Sequence, residues 1–144
     1  MIPKRIPENE FKYIYSKVPR LCVDIIIKTD EGVILTKREI VPYKGYWHIP
    51  GGTVLNGEKL EETAKRVALE ELGLNIEIKK FLGIIEYPKM DDEKHAVSIV
   101  YLITDFSGKL RGSNQGKEVK FFNKLPQNLI PTQAEFLVEY LDMK

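Results

Sequence analysis

At 144 residues, with 43% hydrophobic and 30% charged residues, the chain has the length and composition of one globular domain with a substantial core. Its formal net charge of +1 gives no broad field to draw in nucleic acid or an anionic membrane. No apolar run approaches the roughly 20 residues of a membrane span, and the one cysteine, Cys22, leaves no internal disulfide and reads as a small core residue.

The first ten residues, with Pro3 and Pro7, read as an irregular arm without the apolar segment of a secretory signal. A soluble, cytoplasmic protein is the expectation. "RLCVDIIIKT" and "GVILTKR" are β-branched runs on either side of "DEG", a hairpin pattern. "PYKGYWHIPGG" reads as a loop. Glu58 to Leu72 has helical spacing, and Gly73 is a natural stop. "NIEIKKFLGIIEY" and "HAVSIVYLITDF" read as strands around the polar "PKMDDEK", with "KEVKFF" a shorter strand. "PTQAEFLVEYLDMK" predicts a terminal amphipathic helix, with Thr132 as N-cap and Phe136, Leu137, Tyr140 and Leu141 on its apolar face. No repeat or linker divides the chain, so residues 1–144 are expected to form a single α/β layered domain with a mixed sheet and two helices.

The central helix carries the chemical signal. At about 100° per residue, Leu60, Ala64, Val67, Ala68 and Leu72 share one apolar sector, and Glu71 falls inside it. Glu70 sits on the sector's edge, one turn after Arg66. A carboxylate facing a core is costly unless it is paired or holds a cation. Glu61 also falls in the sector, but it lies in the first turn, where water and the helix dipole accommodate it. A solvated Glu-Glu pair is the competing reading; for Glu71 the wheel position favours a hard divalent cation. Just upstream, Gly51-Gly52 lets backbone approach a ligand closely.

Gly52-x5-Glu58-x7-Arg66-Val67-Ala68-x-Glu70-Glu71-x-Gly73-Leu74 resembles the Nudix box, G-x5-E-x7-R-E-U-x-E-E-x-G-U, with U aliphatic. Every fixed position but one matches. The resemblance implies a Nudix fold, an α/β/α sandwich with a mixed central sheet, and a metal-dependent hydrolase of nucleoside diphosphates linked to another group. It implies Mg²⁺ or Mn²⁺ held by Glu70, Glu71 and the Gly51 carbonyl, with Arg66 orienting a glutamate and Glu58 steadying the loop and helix. Dimers are common in that family. The departure is Val67, where the family has glutamate, so fewer or weaker metal sites are expected.

The stretch from residue 11 to 74 also resembles a branch of that family, GDP-mannose mannosyl hydrolase, through "FKYIYSKVPRLCVDIII" and "KREIVPYKGYWHIPGG". On that likeness Asp24 and Arg38 assist the departing nucleoside diphosphate, and Phe11 stacks a base. The competing readings are a polar-side strand residue, a solvated charge and simple packing. The branch places a Gln-His pair before its last strand, the glutamine on metal and the histidine as base. Here Gln115 is present but Gly116 replaces the histidine, which leaves Glu118 as the candidate base, with a solvated edge charge as its alternative. His95 is a candidate phosphate or water contact, or else a surface histidine; His48 reads as packing. The leading expectation is hydrolysis of a nucleotide sugar or similar small molecule by water attack at phosphorus, a pyrophosphatase. The alternatives are attack at the anomeric carbon of a GDP-sugar and a catalytically weakened nucleotide-binding module.

Overall fold

The run from Arg20 to Thr29 is so rich in β-branched residues that it forms a strand with six consecutive buried positions, and the sheet assembles around it. A computed structural model describes residues 5–41, 43–88, 95–113 and 118–143. In chain order the elements are α1 (Glu8–Tyr15), β1 (Arg20–Thr29), β2 (Gly32–Lys37), β3 (Trp47–His48), β4 (Gly51–Thr53), α2 (Leu60–Val67), β5 (Leu74–Tyr87), β6 (Ala96–Gly108), β7 (Val119–Phe122) and α3 (Pro131–Leu141). A π-helical turn, Ala68–Leu72, continues α2.

The strand order is β3-β2-β1-β6-β5, with β4 added against β1 and β7 against β2. β1 and β6 run parallel and the other pairs are antiparallel, so the sheet is mixed. β1 changes partner along its length. Cys22, Val23 and Asp24 pair with Thr53, Gly52 and Gly51 of β4, whereas Lys28 and Thr29 pair with β2. Asp24 and Gly51 therefore stand at the opening between the two halves of the sheet.

Strand alternation divides the core into two layers. Val23, Ile25 and Ile27 pack with Ala64, Val67, Ala68 and Leu72 on the α2 side. Ile26, Val33, Leu35 and Ile85 pack with Phe136 and Leu137 on the α3 side. This is the expected α/β/α sandwich.

Several expectations shift locally. The N-terminal arm becomes helical at Glu8, because Pro7 sets the entry and Glu8 pairs with Lys12 one turn on. The stretch "PYKGYWHIPGG", expected to be a loop, holds the short strand β3 and the start of β4 at the paired glycines. Thr132 is not the N-cap of α3: Pro131 occupies the first turn, Ile130 precedes it, and the buried Thr132 hydroxyl has no hydrogen-bond partner among the described residues. On the same helix Phe136 and Leu137 are buried, while Tyr140 is 45% exposed. The central helix begins at Leu60 rather than Glu58 and changes to π geometry at Ala68.

Gly73 ends that helix in the left-handed region, φ 72°, with its N–H on the carbonyls of Ala68 and Leu69. A Cβ there would lie 2.9 Å from both Arg111 Cγ and the Lys109 carbonyl. Gly73→Ala is expected to lower the urea-unfolding free energy by about 2 kcal/mol, the left-handed penalty plus the contact.

Candidate active site

The loop between β4 and α2 is locked by one ion pair. Arg66 donates Nε to Glu58 Oε2 at 2.7 Å and Nη2 to Glu58 Oε1 at 3.1 Å, a two-pronged contact. Glu58 also accepts the Leu55 N–H at 3.1 Å and the Thr63 hydroxyl at 2.7 Å. Burial alone pushes the Glu58 carboxyl up, but Arg66, Thr63 and Leu55 together bring it down to about 2. Arg66 Nη2 reaches the Thr53 carbonyl at 2.8 Å, so the same guanidinium ties the helix to β4. Among the glutamates, Glu58 is the one Arg66 grips with two prongs, and the pair joins the loop to the helix.

The π turn sets the directions of the box carboxylates. Inserting a π step into the α-helix re-aims the side chains that follow it. Glu71 is half-buried, and its carboxylate accepts the Gly51 backbone N–H. Burial, then the charges of Asp24 and Glu70, raise its pKa to about 7, against the Gly51 hydrogen bond and the positive charge of Arg38. Glu70 points outward: its Oε2 meets Arg5 and lies 3.5 Å from Arg66 Nη1.

The Asp24 side chain is buried on the α3 side of the sheet, where Tyr87 Oη donates to Oδ2 at 2.8 Å and Ser98 supplies a further hydrogen bond. Burial raises its pKa to about 6, with the Tyr87 and Ser98 bonds and the charge of Arg20 opposing. A Cβ added to Gly51 would run into Asp24 Oδ1 and come within 2.9 Å of the Val23 carbonyl, so glycine is required there for close approach. Asp24, Gly51 and Glu71 are therefore brought together from β1, β4 and the end of the central helix.

The remaining candidates lie around this centre or away from it. Arg38, half-buried just past β2, is near enough to act on the charges of both Glu71 and His48. His48 Nδ1 lies 2.9 Å from both Thr36 Oγ1 and the Thr36 carbonyl. Burial first, and Arg38 second, lower its pKa to about 4 against the Thr36 bond, so it packs as a neutral ring. Val67 is 2% exposed and is part of the α2-side core; its Cγ2 would be 3.0 Å from a Cβ on Gly52. Phe11 stacks edge-on to Tyr15, with the Arg20 guanidinium 6.0 Å from its ring. Glu118 pairs with Lys120 at 3.2 Å and Lys37 at 3.9 Å, and both lysines lie over Trp47. His95 is exposed, and its carbonyl receives the Arg20 N–H. Gln115 and Gly116 lie outside the described residues, as does most of the loop between Pro88 and His95.

Three partners were not foreseen. Arg111 donates to the carbonyls of Leu69 at 3.0 Å and Glu70 at 3.2 Å, placing positive charge on the end of the π turn that bears the acids. Nothing in its sequence context signals this. Tyr87 and Gln133 lie beneath Asp24, and Gln133 was legible: it sits three and four residues before the buried Phe136 and Leu137, a polar residue in an apolar stripe.

Residues 18–139 match the family model described as the NUDIX domain. The chain is 35% identical over 144 residues to the low-salt glycan biosynthesis protein Agl8 of Haloferax volcanii, covering 96% of this chain and 90% of that protein. It is 38% identical over 118 residues to the ADP-ribose pyrophosphatase of Methanocaldococcus jannaschii, covering 81% and 70%. Its fold superposes on a MutT NUDIX hydrolase from Burkholderia pseudomallei with a TM-score of 0.80 at 30% identity, over 87% of this chain and 99% of that one.

Proposed function

The chain belongs to the Nudix hydrolase family, and from that premise we propose that residues 1–144 act as one domain that hydrolyses a nucleoside diphosphate joined to a sugar or similar group, with Mg²⁺ or Mn²⁺, by water attack at phosphorus. The observation that carries this reading is the convergence of Asp24 and Glu71 at Gly51. Burial raises the pKa of both acids, and repulsion from Asp24 adds to the rise at Glu71. A divalent cation relieves that repulsion. Among the described residues no three His, Cys, Asp or Glu side chains cluster in a way that could hold a metal. Two acids suit Mg²⁺ nonetheless, because it commonly takes one or two carboxylates and completes its shell with water and substrate phosphates.

In this reading Asp24 and Glu71 hold the cation, with the Gly51 carbonyl as a third ligand. When bound, the cation neutralises diphosphate charge and makes the departing phosphate a better leaving group. Arg38, whose positive charge acts on Glu71, donates to a phosphate oxygen. Both arginine contacts of Glu70 fall on Oε2, so Oε1 accepts the proton of the attacking water, with Glu118 as the second candidate. Water's oxygen bonds to phosphorus as the bridging P–O bond breaks, and the leaving phosphate carries the electron pair away. A sugar-linked substrate is supported by two relatives, one named for glycan biosynthesis and one for ADP-ribose, itself a nucleoside diphosphate bearing ribose.

The burial of Val67 favours a second reading, attack at the anomeric carbon of a GDP-sugar, because position 67 supplies no carboxylate to the cluster. Turnover of nucleotide sugars, dinucleotides and nucleoside triphosphates in ¹⁸O-labelled water separates the two. Label is expected in a phosphate product. Label in released free sugar overturns phosphorus attack in favour of carbon attack. No turnover of any substrate with either metal leaves a binding module.

A further inference from the structure

The polar groups buried beneath α3 form one directed chain. The Ile49 N–H can only donate, and it donates to Gln133 Oε1 at 2.6 Å. That contact fixes the amide's orientation, leaving Nε2 as a donor to Tyr87 Oη at 2.8 Å. Tyr87 Oη, already accepting, gives its one proton to Asp24 Oδ2 at 2.8 Å. Each direction follows from the one before, because an amide nitrogen cannot accept and a phenol has a single proton.

Gln133 thereby grips both halves of the opening. Through Tyr87 it fixes Asp24 Oδ2, while Oδ1 lies over Gly51. Through Ile49 it fixes the strand-end backbone two residues before Gly51, whose N–H holds Glu71. Gln133 is 3% exposed, so water is shut out from its contacts.

We propose that Tyr87 and Gln133 are positioning residues: the chain Ile49–Gln133–Tyr87–Asp24 presents Asp24 as an acceptor beside Glu71, so that a divalent cation meets two pre-set carboxylates. This rests on the reading of Asp24 and Glu71 as cation ligands. A role in packing alone requires only that the buried polar groups be satisfied and is indifferent to the chain's direction. The two roles separate in Gln133→Glu. That variant keeps the size of the side chain and its acceptor for Ile49, but has no N–H to give. Ionised, in alkaline buffer, the new carboxylate draws the Tyr87 proton away from Asp24, whereas in acid its own O–H restores the chain, so the variant is read at alkaline pH.

The test is Mn²⁺ binding followed by electron paramagnetic resonance in Tyr87→Phe, Gln133→Glu and the double variant, with substrate kinetics alongside. Each single variant is expected to weaken Mn²⁺ binding by about tenfold or more, the usual effect of losing a partner that orients a ligand. kcat should fall in step, and KM at saturating metal should stay unchanged. The double variant should bind no more weakly than the worse single one, since both break the same chain. Wild-type Mn²⁺ affinity in a folded single variant, or additive losses in the double, overturns the inference. If Tyr87→Phe fails to fold, Gln133→Glu alone decides it. Asp24→Asn keeps the two levels apart. Weakened binding there with normal binding in Gln133→Glu rejects the positioning role only, whereas wild-type binding in Asp24→Asn rejects the site reading beneath it.

Discussion

Glu71→Gln is expected to abolish metal-dependent turnover while making the metal-free protein more stable at neutral pH. The first effect follows from removing one of two proposed ligand carboxylates. A loss of about a thousandfold in kcat corresponds to about 4 kcal/mol of transition-state stabilisation, the scale of a metal's contribution. The second follows from linkage. In the folded chain burial raises the Glu71 pKa from the ordinary 4.5 to about 7. The folded state then binds this proton more tightly than the unfolded state does, so stability falls as pH rises from 4.5 towards 7. At pH 8 the full penalty applies, an upper figure of about 3 kcal/mol. Glutamine removes the ionisation and retains an oxygen for the Gly51 N–H. Urea unfolding in a chelator at pH 5 and pH 8 should show wild type losing stability over that interval. The variant should be nearly flat, keeping only the smaller slope from Asp24, whose pKa is raised from 3.8 to about 6. A variant as steep as wild type would remove Glu71 as the source of the slope.

Val67→Glu carries the other large effect. Val67 lies in the core against Gly52, one turn before Glu71 on the same helix face. A carboxylate there replaces buried methyl groups with a charge one turn from Glu71. In a chelator the variant should lose about 3–5 kcal/mol of stability, as an uncompensated buried charge does. Added Mn²⁺ should recover much of that loss, because a ligand that binds only the folded state stabilises it by mass action. The midpoint shift on adding Mn²⁺ should therefore exceed the wild-type shift. Equal shifts would mean that position 67 does not reach the cation, and that the missing glutamate does not thin the site.

Most of the architecture was legible because its signals are local. The β-branched run from Arg20 and the runs from Asn75 and His95 formed strands, and Gly73 stopped the helix through its left-handed conformation. The apolar sector of the central helix became the α2-side core, with Val67 in it. What escaped depended on partners distant in sequence. The π turn at Ala68 leaves no mark in apolar periodicity, yet it directs Glu71 towards Gly51 and Glu70 towards Arg5 and Arg66. Asp24 could not be assigned a side from its own strand. Its surroundings come from Tyr87, 63 positions away along the chain, and Ser98. Arg111 became a helix-end partner only when β6 returned the chain past Gly73. Gln133 could have been found by the argument that singled out Glu71, a polar side chain at a core position of an amphipathic helix.

The most direct test of the site is Mn²⁺ binding to wild type, Asp24→Asn, Glu71→Gln and the double variant, measured without substrate by electron paramagnetic resonance. Wild type should bind Mn²⁺, each single variant should bind it more weakly, and the double variant should not bind it at all. A double variant that binds Mn²⁺ as wild type does would place the cation elsewhere and contradict the account of Asp24, Gly51 and Glu71 as its seat.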